Sequence, residues 1–418
     1  MRSIGELVPR RGDTTFTTRK HAIGTVRCVP SGGTAAGRGF VIPSLDGLRF
    51  VAILLVVWGH AQLPYQFIRE SAGVTIFFFL SGYLITTLLR REFDKTNRVS
   101  IKDFYLRRLF RIFPPLYIVV TIMVVLSLAG VLANAMTGWG ALASYGFWAN
   151  YFIIFEGREG LPAGMNALWS LAVEEHYYLL FPLIYIALRR WLPSRWWQAG
   201  VLAAICVAIM GWRVWLFAHD AGYDRIYLAT DTRADAILWG SILAIIANPM
   251  YGEIKSPRRP WMLTPILLAS VAVFYLVTRM PDSIGMTVGY TVQAVALAGV
   301  FIPLIMAPRS VIGRVMNWRP IMWVGVISYS VYLIHRPALM LAEEYLPGPL
   351  LLRSVIGIAA TVLLSWAMLV LVERPFGKLR KKLGHAGETT NTAVNDETPS
   401  GAPEGEPEGV SKGSRVDV

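Results

Sequence analysis

Ionisable side chains interrupt several apolar stretches of this chain, and they are the residues best placed to do chemistry. The first such stretch, residues 47–64, carries Arg49 and His60. Eleven residues make just over three turns of an α-helix, so both side chains lie on one face, about 16 Å apart along its axis. Because a histidine titrates near neutral pH, His60 is a candidate general base. The alternatives are a histidine hydrogen-bonded between helices and an arginine that reaches lipid headgroups.

Two adjacent carboxylates, Glu174 and Glu175, lie in the apolar stretch of residues 167–183. Neighbouring side chains on a helix point about 100° apart, so only one of the pair is expected to face a given cavity, and the spacing does not say which. A carboxylate among apolar helices is costly unless it meets a cation, a polar group or water. We therefore expect at least one of them to have such a partner, and one of them could orient the His60 imidazole.

Two further stretches place polar groups near one end of their helices. The first begins with Asp231, Arg233 and Asp235, for which a local ion pair at the surface is the alternative to a role in a cavity. The second carries Tyr329 and His335, where the alternative is an interfacial belt of tyrosine and arginine. Arg233, Asp235 and His335 fall in the outer half of the predicted topology. His60 and one of the two glutamates, Glu174 or Glu175, fall there too. That agreement favours one polar cavity opening outward.

A basic patch follows the second apolar stretch. Arg107 and Arg111 are four residues apart and Arg108 is three before Arg111, so a helix presents all three side chains together. Such a patch suits a polyanionic ligand. Contact with anionic lipid and a role in orienting the chain explain the same charge without a ligand.

The elements that must position these groups are membrane-spanning helices. The 418 residues are 54% hydrophobic and only 16% charged, with a mean hydropathy of +0.48. A helix needs roughly 20 apolar residues to cross a hydrocarbon core of about 30 Å. We predict an all-α bundle of about ten transmembrane helices, near residues 45–66, 70–90, 113–134, 168–189, 198–218, 231–248, 261–279, 285–307, 321–341 and 350–372.

Basic clusters set the predicted orientation of this bundle. Each cluster follows an even-numbered helix, which places both termini in the cytoplasm by the positive-inside rule. The apolar segment near 139–155 would upset that scheme if it crossed the membrane, so we expect an interfacial or re-entrant segment there. We divide the chain into a basic flexible cytoplasmic arm (1–42), a membrane domain (43–383) and a disordered cytoplasmic tail (384–418).

Composition argues against several other classes. The net charge of +13 comes from residues in short connections between apolar segments, which orient helices and predict no nucleic-acid partner. Cys28 and Cys206 do not have the spacing of a metal site, and no histidine pair stands at metal-binding spacing on a helix. We expect neither a metal nor a bound cofactor.

The ordered series of motifs resembles the acyltransferase-3 family of membrane O-acyltransferases. The matching segments are IPSLDGLRFVAILLVVWGH, GVTIFFFLSGYLIT, FYLRRLFRIFPPLY, LWSLAVEEHYYLLFP, TRADAILWG, SYSVYLIHRPAL and VERPFGKL, which cover residues 43–378. In LWSLAVEEH the glutamates are followed by His176, where many relatives have glutamine. This departure leaves Glu174 and Glu175 in place.

The resemblance implies a multi-pass protein of the bacterial cell membrane that transfers an acyl group, usually acetyl, from acyl-CoA to a hydroxyl. It assigns catalysis to His60 with Glu174 or Glu175. The donor is expected to bind at Arg49, Arg107, Arg108 and Arg111. The residues expected to line the cavity or bind the acceptor are Ser81, Tyr83, Trp169, Arg233, Asp235, Tyr329 and His335.

The sequence does not identify the acceptor of the acyl group. A hydroxyl of an envelope glycan on the outer side is the first candidate, with His60 acting as general base or as transient acyl carrier. Acylation of a small molecule or a lipid-linked precursor on the cytoplasmic side is the second. A proton-coupled transporter is the alternative from another class, because a polar cavity with histidine and glutamate also suits transport.

Overall fold

The computed structural model describes residues 42–63, 69, 71–132, 135–255, 257 and 259–379, and within these ranges every regular element is a helix. In chain order the α-helices are α1 (Leu45–His60), α2 (Ser71–Thr96), α3 (Ile101–Leu128), α4 (Gly138–Tyr145), α5 (Ala149–Glu156), α6 (Leu168–Trp191), α7 (Arg195–Ala218), α8 (Tyr223–Leu228), α9 (Thr230–Ile246), α10 (Thr264–Thr278), α11 (Asp282–Ile284), α12 (Tyr290–Met306), α13 (Val311–Met316), α14 (Arg319–Val326), α15 (Ser328–Tyr345) and α16 (Leu350–Met368).

Each of the ten predicted apolar segments corresponds to a helix, but not every one is long enough to cross a membrane by itself. In the described part of the chain, eight helical segments have the required length and hydropathy, built on α2, α3, α6, α7, α9, α10, α12 and α16. A ninth is the pair α14 and α15, bent by 71° at its break. α1 has 16 residues and is shorter than a full span. The predicted all-α membrane fold is confirmed, whereas the count of ten and the cytoplasmic termini stay predictions.

The basic patch lies on a helix, as its spacing predicted, and the same helix continues into the third span. We placed the third span at 113–134, but α3 begins at Ile101, because the Ser100 side chain accepts a hydrogen bond from the Asp103 amide and caps the helix. Pro114 and Pro115 lie inside α3 and do not end it. The basic patch is therefore held on a regular helical surface.

The apolar segment near 139–155 forms two helices of eight residues each, α4 and α5, joined at Gly146 and Phe147. Eight residues extend about 12 Å, so neither helix alone can cross a hydrocarbon core of about 30 Å. The predicted arm up to residue 41 and the predicted tail from 384 lie outside the described residues.

The bundle has two ends, which we name by their residues. The arginine face is the end where α2 stops at Thr96 and α3 begins, next to Arg107. The histidine face is the opposite end, towards which α1 runs before it stops at His60. α6, α9 and α12 run from the histidine face to the arginine face, whereas α7 and α10 run back.

α2 and α9 form the central contact of the bundle, and glycines let their backbones approach. A Cβ added at Gly82 would lie 1.8 Å from the Ile237 carbonyl oxygen, and one at Gly240 would lie 2.0 Å from the Phe79 carbonyl oxygen. Small residues at helix crossings are the usual device for close packing in membranes. This contact fixes Ser81, between Leu80 and Gly82, relative to α9.

Gly82→Ala is expected to lower the thermal unfolding midpoint of the purified protein by about 3–10 °C, because the added methyl group must push two helix backbones apart. Gly200→Ala, on α7, is the matched control, since no heavy atom lies within 4 Å of its added Cβ. It should leave the midpoint unchanged or raise it slightly. Equal midpoints for the two variants would contradict the close packing of α2 on α9.

Candidate active site

A cavity partly open to solvent lies between α1, α2, α3, α6 and α15, with about 750 Å³ of space between its walls when the part open to solvent is counted. Its wall combines three arginines, one carboxylate and several hydroxyl groups with apolar side chains. The polar lining residues are Arg49, Ser81, Arg108, Arg111, Ser170, Glu174, Tyr178, Ser328, Tyr329 and Tyr332. Residues from widely separated motifs thus meet in one space.

Glu174 is the carboxylate that faces the cavity. Ser81 Oγ donates a hydrogen bond of 3.0 Å to its Oε1, and the Tyr178 hydroxyl lies 3.2 Å from its Oε2 and 2.9 Å from Ser81 Oγ. The Arg108 guanidinium stacks 4.1 Å from the centre of the Tyr178 ring. These contacts place a negative group beside the cations of the same wall.

Glu175 points away from this cavity, as the angle of about 100° between neighbouring residues requires. It is not part of the cavity wall described above, and its Oε1 is buried without a hydrogen-bond partner among the described residues. Of the two predicted catalytic carboxylates, the structure therefore brings only Glu174 to the cavity. A catalytic role for either residue stays a prediction.

The arginine patch joins the cavity to a groove on the arginine face. The groove contains about 910 Å³ of space and is lined by Ile85, Leu88, Leu89, Arg91, Glu92, Lys95, Phe104, Arg107, Arg108 and Arg111. Arg108 and Arg111 line both the groove and the cavity, so the two spaces meet at these side chains. Arg107 stays at the surface, where it pairs with Glu92 at 3.1 Å. Arg49 lies inside the cavity and is held by Asp46 at 2.7 Å.

Tyr332 ends the cavity on the side of the histidines. Its hydroxyl donates a 2.8 Å hydrogen bond to the Ala167 carbonyl oxygen and lies 2.5 Å from Ser170 Oγ. The centre of its ring lies 5.6 Å from that of His335. His335 in turn lies against His60, with 3.3 Å between His335 Nε2 and His60 Nδ1. The residues brought together in this way come from α1, α6 and α15.

The partners of the two histidines determine which nitrogen of His60 is basic. His335 Nδ1 lies 2.7 Å from the Tyr332 carbonyl oxygen, which can only accept, so a neutral His335 carries its proton there and its Nε2 accepts. His60 Nδ1 lies 2.9 Å from the Val56 carbonyl oxygen and near that accepting Nε2. It is therefore the protonated nitrogen, and in the neutral ring the lone pair is on Nε2.

The structure corrects the expected partner of His60. We expected a glutamate to orient its imidazole, but the Glu174 carboxylate is engaged by Ser81 and Tyr178. The ring that orients His60 is that of His335, which is fully buried. A neutral imidazole replaces the expected carboxylate in this position.

Arg233 and Asp235 do not form a surface ion pair, because both are fully buried. Asp235 accepts two 2.8 Å hydrogen bonds from Arg213 of α7. The Arg233 guanidinium lies 3.6 Å from the centre of the Tyr290 ring, and its Nε and Nη1 have no hydrogen-bond partner among the described residues. Neither residue is part of the cavity wall, so their predicted place there is wrong.

Comparison with known sequences identifies the family to which this chain belongs. Residues 42–370 match the sequence profile of the acyltransferase-3 family, described as an acyltransferase domain. The chain belongs to the acyltransferase-3 family. The resemblance proposed from its motifs is thereby confirmed, and the described part of the chain has several helices long and apolar enough to cross a membrane.

Curated relatives of this acyltransferase include O-acetyltransferases. The chain is 29% identical to the peptidoglycan O-acetyltransferase OatA of Listeria monocytogenes over 351 residues, which cover 81% of this chain and 56% of OatA. It is 30% identical over 351 residues to the "Putative peptidoglycan O-acetyltransferase YrhL" of Bacillus subtilis, covering 80% of this chain and 54% of YrhL. The chain thus spans about half the length of these relatives. No solved structure matches it.

Two predicted cavity residues of this acyltransferase lie elsewhere. Tyr83 is two positions from Ser81, which turns it about 200° around α2, and its hydroxyl donates to Asn248 Oδ1 at 2.7 Å. Trp169 packs against Phe78 and Tyr227, while its neighbour Ser170 reaches the cavity. Ser81 and Tyr329 line the cavity as expected. Of the predicted donor-binding arginines, Arg49, Arg108 and Arg111 line the cavity and Arg107 lines the groove.

Two polar residues of the site and one buried arginine outside it were not predicted from the sequence. Tyr178 and Tyr332 belong to motifs that we quoted, but tyrosines in apolar helices are common and nothing in their spacing separates these two. Arg213 carried a stronger signal, because a lone arginine inside the apolar stretch of α7 must find a partner. That partner is Asp235.

Proposed function

We propose that this protein transfers an acetyl group from acetyl-CoA, bound at the arginine face, to a hydroxyl of a peptidoglycan-type glycan at the histidine face. The observation that carries the proposal is that Arg108 and Arg111 line both the groove and the cavity. A donor bound along these side chains would extend from the surface cations to Tyr332, whose ring lies next to the His335–His60 pair. The similarity to OatA, a peptidoglycan O-acetyltransferase, supports a glycan acceptor.

The groove suits the anionic end of the donor. Five cationic side chains line it, from Arg91, Lys95, Arg107, Arg108 and Arg111, against one carboxylate. Guanidinium groups bind phosphate oxygens through paired hydrogen bonds, which fits the three phosphates of coenzyme A. The pantetheine arm is thin and mostly uncharged, so it can extend past Arg111 into the cavity. The thioester would then lie near Ser170 and Tyr332.

The chemistry at His60 requires one proton transfer in each direction. His60 Nε2 takes the proton of the acceptor hydroxyl while the oxygen attacks the thioester carbonyl carbon. The carbon–sulfur bond breaks, and the departing sulfur takes the proton back from Nε2. The products are an acetate ester and free coenzyme A. His335 fixes the His60 tautomer throughout, as the third group of a catalytic triad does.

Transient acetylation of His60 is the second form of the same proposal. Nε2 would attack the thioester carbon and release coenzyme A before the acceptor hydroxyl attacks the acyl-imidazole. Both forms place the reacting nitrogen on the same side of the ring. They differ in kinetics, because only the second gives exchange between acetyl-CoA and labelled coenzyme A without acceptor.

Reconstituted vesicles test the proposed function. Protein inserted in both orientations is supplied with labelled acetyl-CoA inside and muramidase-released peptidoglycan fragments outside. Label on the external fragments supports the proposal. Label only when donor and acceptor share a compartment would instead favour acylation on the cytoplasmic side. Acceptor-independent proton flux without transfer would favour the transporter.

Arg107→Glu and Arg111→Glu are expected to raise the KM for acetyl-CoA by about 10- to 100-fold, because each removes a phosphate partner and adds repulsion. The kcat at saturating donor should change less. Arg107 is half exposed, so its variant also tests the groove if Arg111→Glu fails to fold. The control is Arg314→Glu, an exposed arginine of α13 outside the groove. If the Arg107 variant has an unchanged KM for acetyl-CoA, Arg107 does not bind the donor and serves to orient the chain in the membrane.

A further inference from the structure

A second groove opens on the histidine face, between the end of α5 and the beginning of α8. It contains about 1060 Å³, including the part open to solvent. Phe155 and Tyr223 line it and remain 76% and 52% exposed. The route described for the donor does not use this groove. It lies at the end of the bundle opposite the arginine face.

Charged groups surround these aromatic rings. Arg158 forms a salt bridge with Asp224, and both side chains line the groove. Arg225, also in its wall, pairs with Asp231 through bonds of 3.0 and 2.5 Å. The four charges cancel, so the groove has no preference for a strongly charged ligand. Planar charged pairs of this kind present hydrogen-bond donors and acceptors together.

A line of aromatic rings leads from the groove to the reaction end of the cavity. The Tyr223 ring lies 5.3 Å from that of Tyr227, which lies 4.7 Å from that of Trp169. The next residue, Ser170, holds the Tyr332 hydroxyl at the end of the cavity. Tyr227 and Trp169 are both buried, so these rings form a packed wall between the groove and the end of the cavity.

We propose that this groove binds a pyranose ring of the glycan acceptor, in the same glycan chain as the sugar whose hydroxyl is acetylated. The inference rests on the proposed function. A pyranose presents polarised C–H groups on one face, which pack on the electron-rich face of an aromatic ring such as Tyr223. Its hydroxyl groups at the ring edge match the neighbouring charged pairs. A lipid headgroup is the competing occupant, because tyrosine and arginine also bind at the membrane surface. Contact of the glycan fragments with the groove, measured below, decides between the two.

The test compares Tyr223→Ala with Trp139→Ala, which removes another exposed aromatic side chain of the histidine face, on α4. With muramidase-released peptidoglycan fragments as acceptor, Tyr223→Ala is expected to raise the acceptor KM by about 3- to 10-fold. The KM for acetyl-CoA should not change. Tyr223→Trp should restore the acceptor KM, and Trp139→Ala should keep it. Equal acceptor KM values for Tyr223→Ala and Trp139→Ala would overturn the inference.

A binding measurement separates failure of this inference from failure of the proposed function. Saturation-transfer NMR detects contact of the same fragments with the full-length protein and requires no turnover. If the wild type binds the fragments and Tyr223→Ala does not, the groove is a sugar site even where acetyl-CoA is not the donor. If Tyr223→Ala binds the fragments as well as the wild type does, the groove is not the sugar site. That result does not bear on the proposed acetyl transfer, which the vesicle assay tests.

Discussion

Replacing His60 with alanine is expected to lower the rate of acetyl transfer about a thousandfold, with the protein still folded in the membrane. A positioned general base contributes roughly 10²- to 10⁴-fold, and alanine offers no nitrogen to take the hydroxyl proton. The measurement is transfer of labelled acetyl from acetyl-CoA to peptidoglycan fragments by purified protein. Because His60 lies beyond the cavity wall, the KM for acetyl-CoA should change little.

A histidine outside the His335–His60 pair provides the control. His219 is exposed and stacks on Trp215, 4.1 Å between ring centres. His219→Ala should keep full activity. His335→Ala should lose less than His60→Ala, because it removes the group that fixes the tautomer and keeps the reacting nitrogen. Substantial transfer by His60→Ala would remove His60 from the mechanism in both of its forms.

Replacing Arg213 with alanine is expected to destabilise the protein by about 3–5 kcal/mol, because the Asp235 carboxylate is left buried without its cation. Both side chains are fully buried, and Arg213 also donates to the Thr287 and Thr232 carbonyl oxygens. The thermal midpoint in detergent should fall by about 10 °C. The double change Arg213→Met with Asp235→Leu should recover most of that loss, because no unpaired charge remains.

Arg225→Ala is the matched control for this prediction. It also breaks an arginine–aspartate pair, but the Asp231 side chain is 42% exposed, so water replaces the lost partner. Its midpoint should shift by less than about 2 °C. Similar midpoints for the Arg213 and Arg225 single variants would mean that burial of the Arg213 pair contributes nothing to stability.

The features predicted from sequence were those that depend on one helix at a time. Apolar length predicted the helical segments, and helical periodicity placed Arg108 and Arg111 on one surface, where they lie. A charge in an apolar segment marked His60 and Glu174 as candidates, because membranes tolerate such groups only with partners.

The features that could not be predicted depend on how helices rotate against each other. His335 is 275 positions from His60, and its contact with His60 is set by the packing of α15 on α1. The choice between Glu174 and Glu175 depends on a rotation of α6 that periodicity leaves open. For Asp235 the sequence suggested an ion pair within its own helix or a place in the cavity, whereas its partner is Arg213 of α7.

Tyr332 has a consequence for the electrical insulation of the membrane. On the proposed route, a passage wide enough for a thioester would also admit water and ions, and every leaking charge would dissipate the membrane potential. The Tyr332 ring, fixed by the Ala167 carbonyl and Ser170, stands where the donor cavity ends and the histidine pair begins. On that route, a ring held in this place separates the two spaces, so transfer of an acetyl group past it would not discharge the membrane potential.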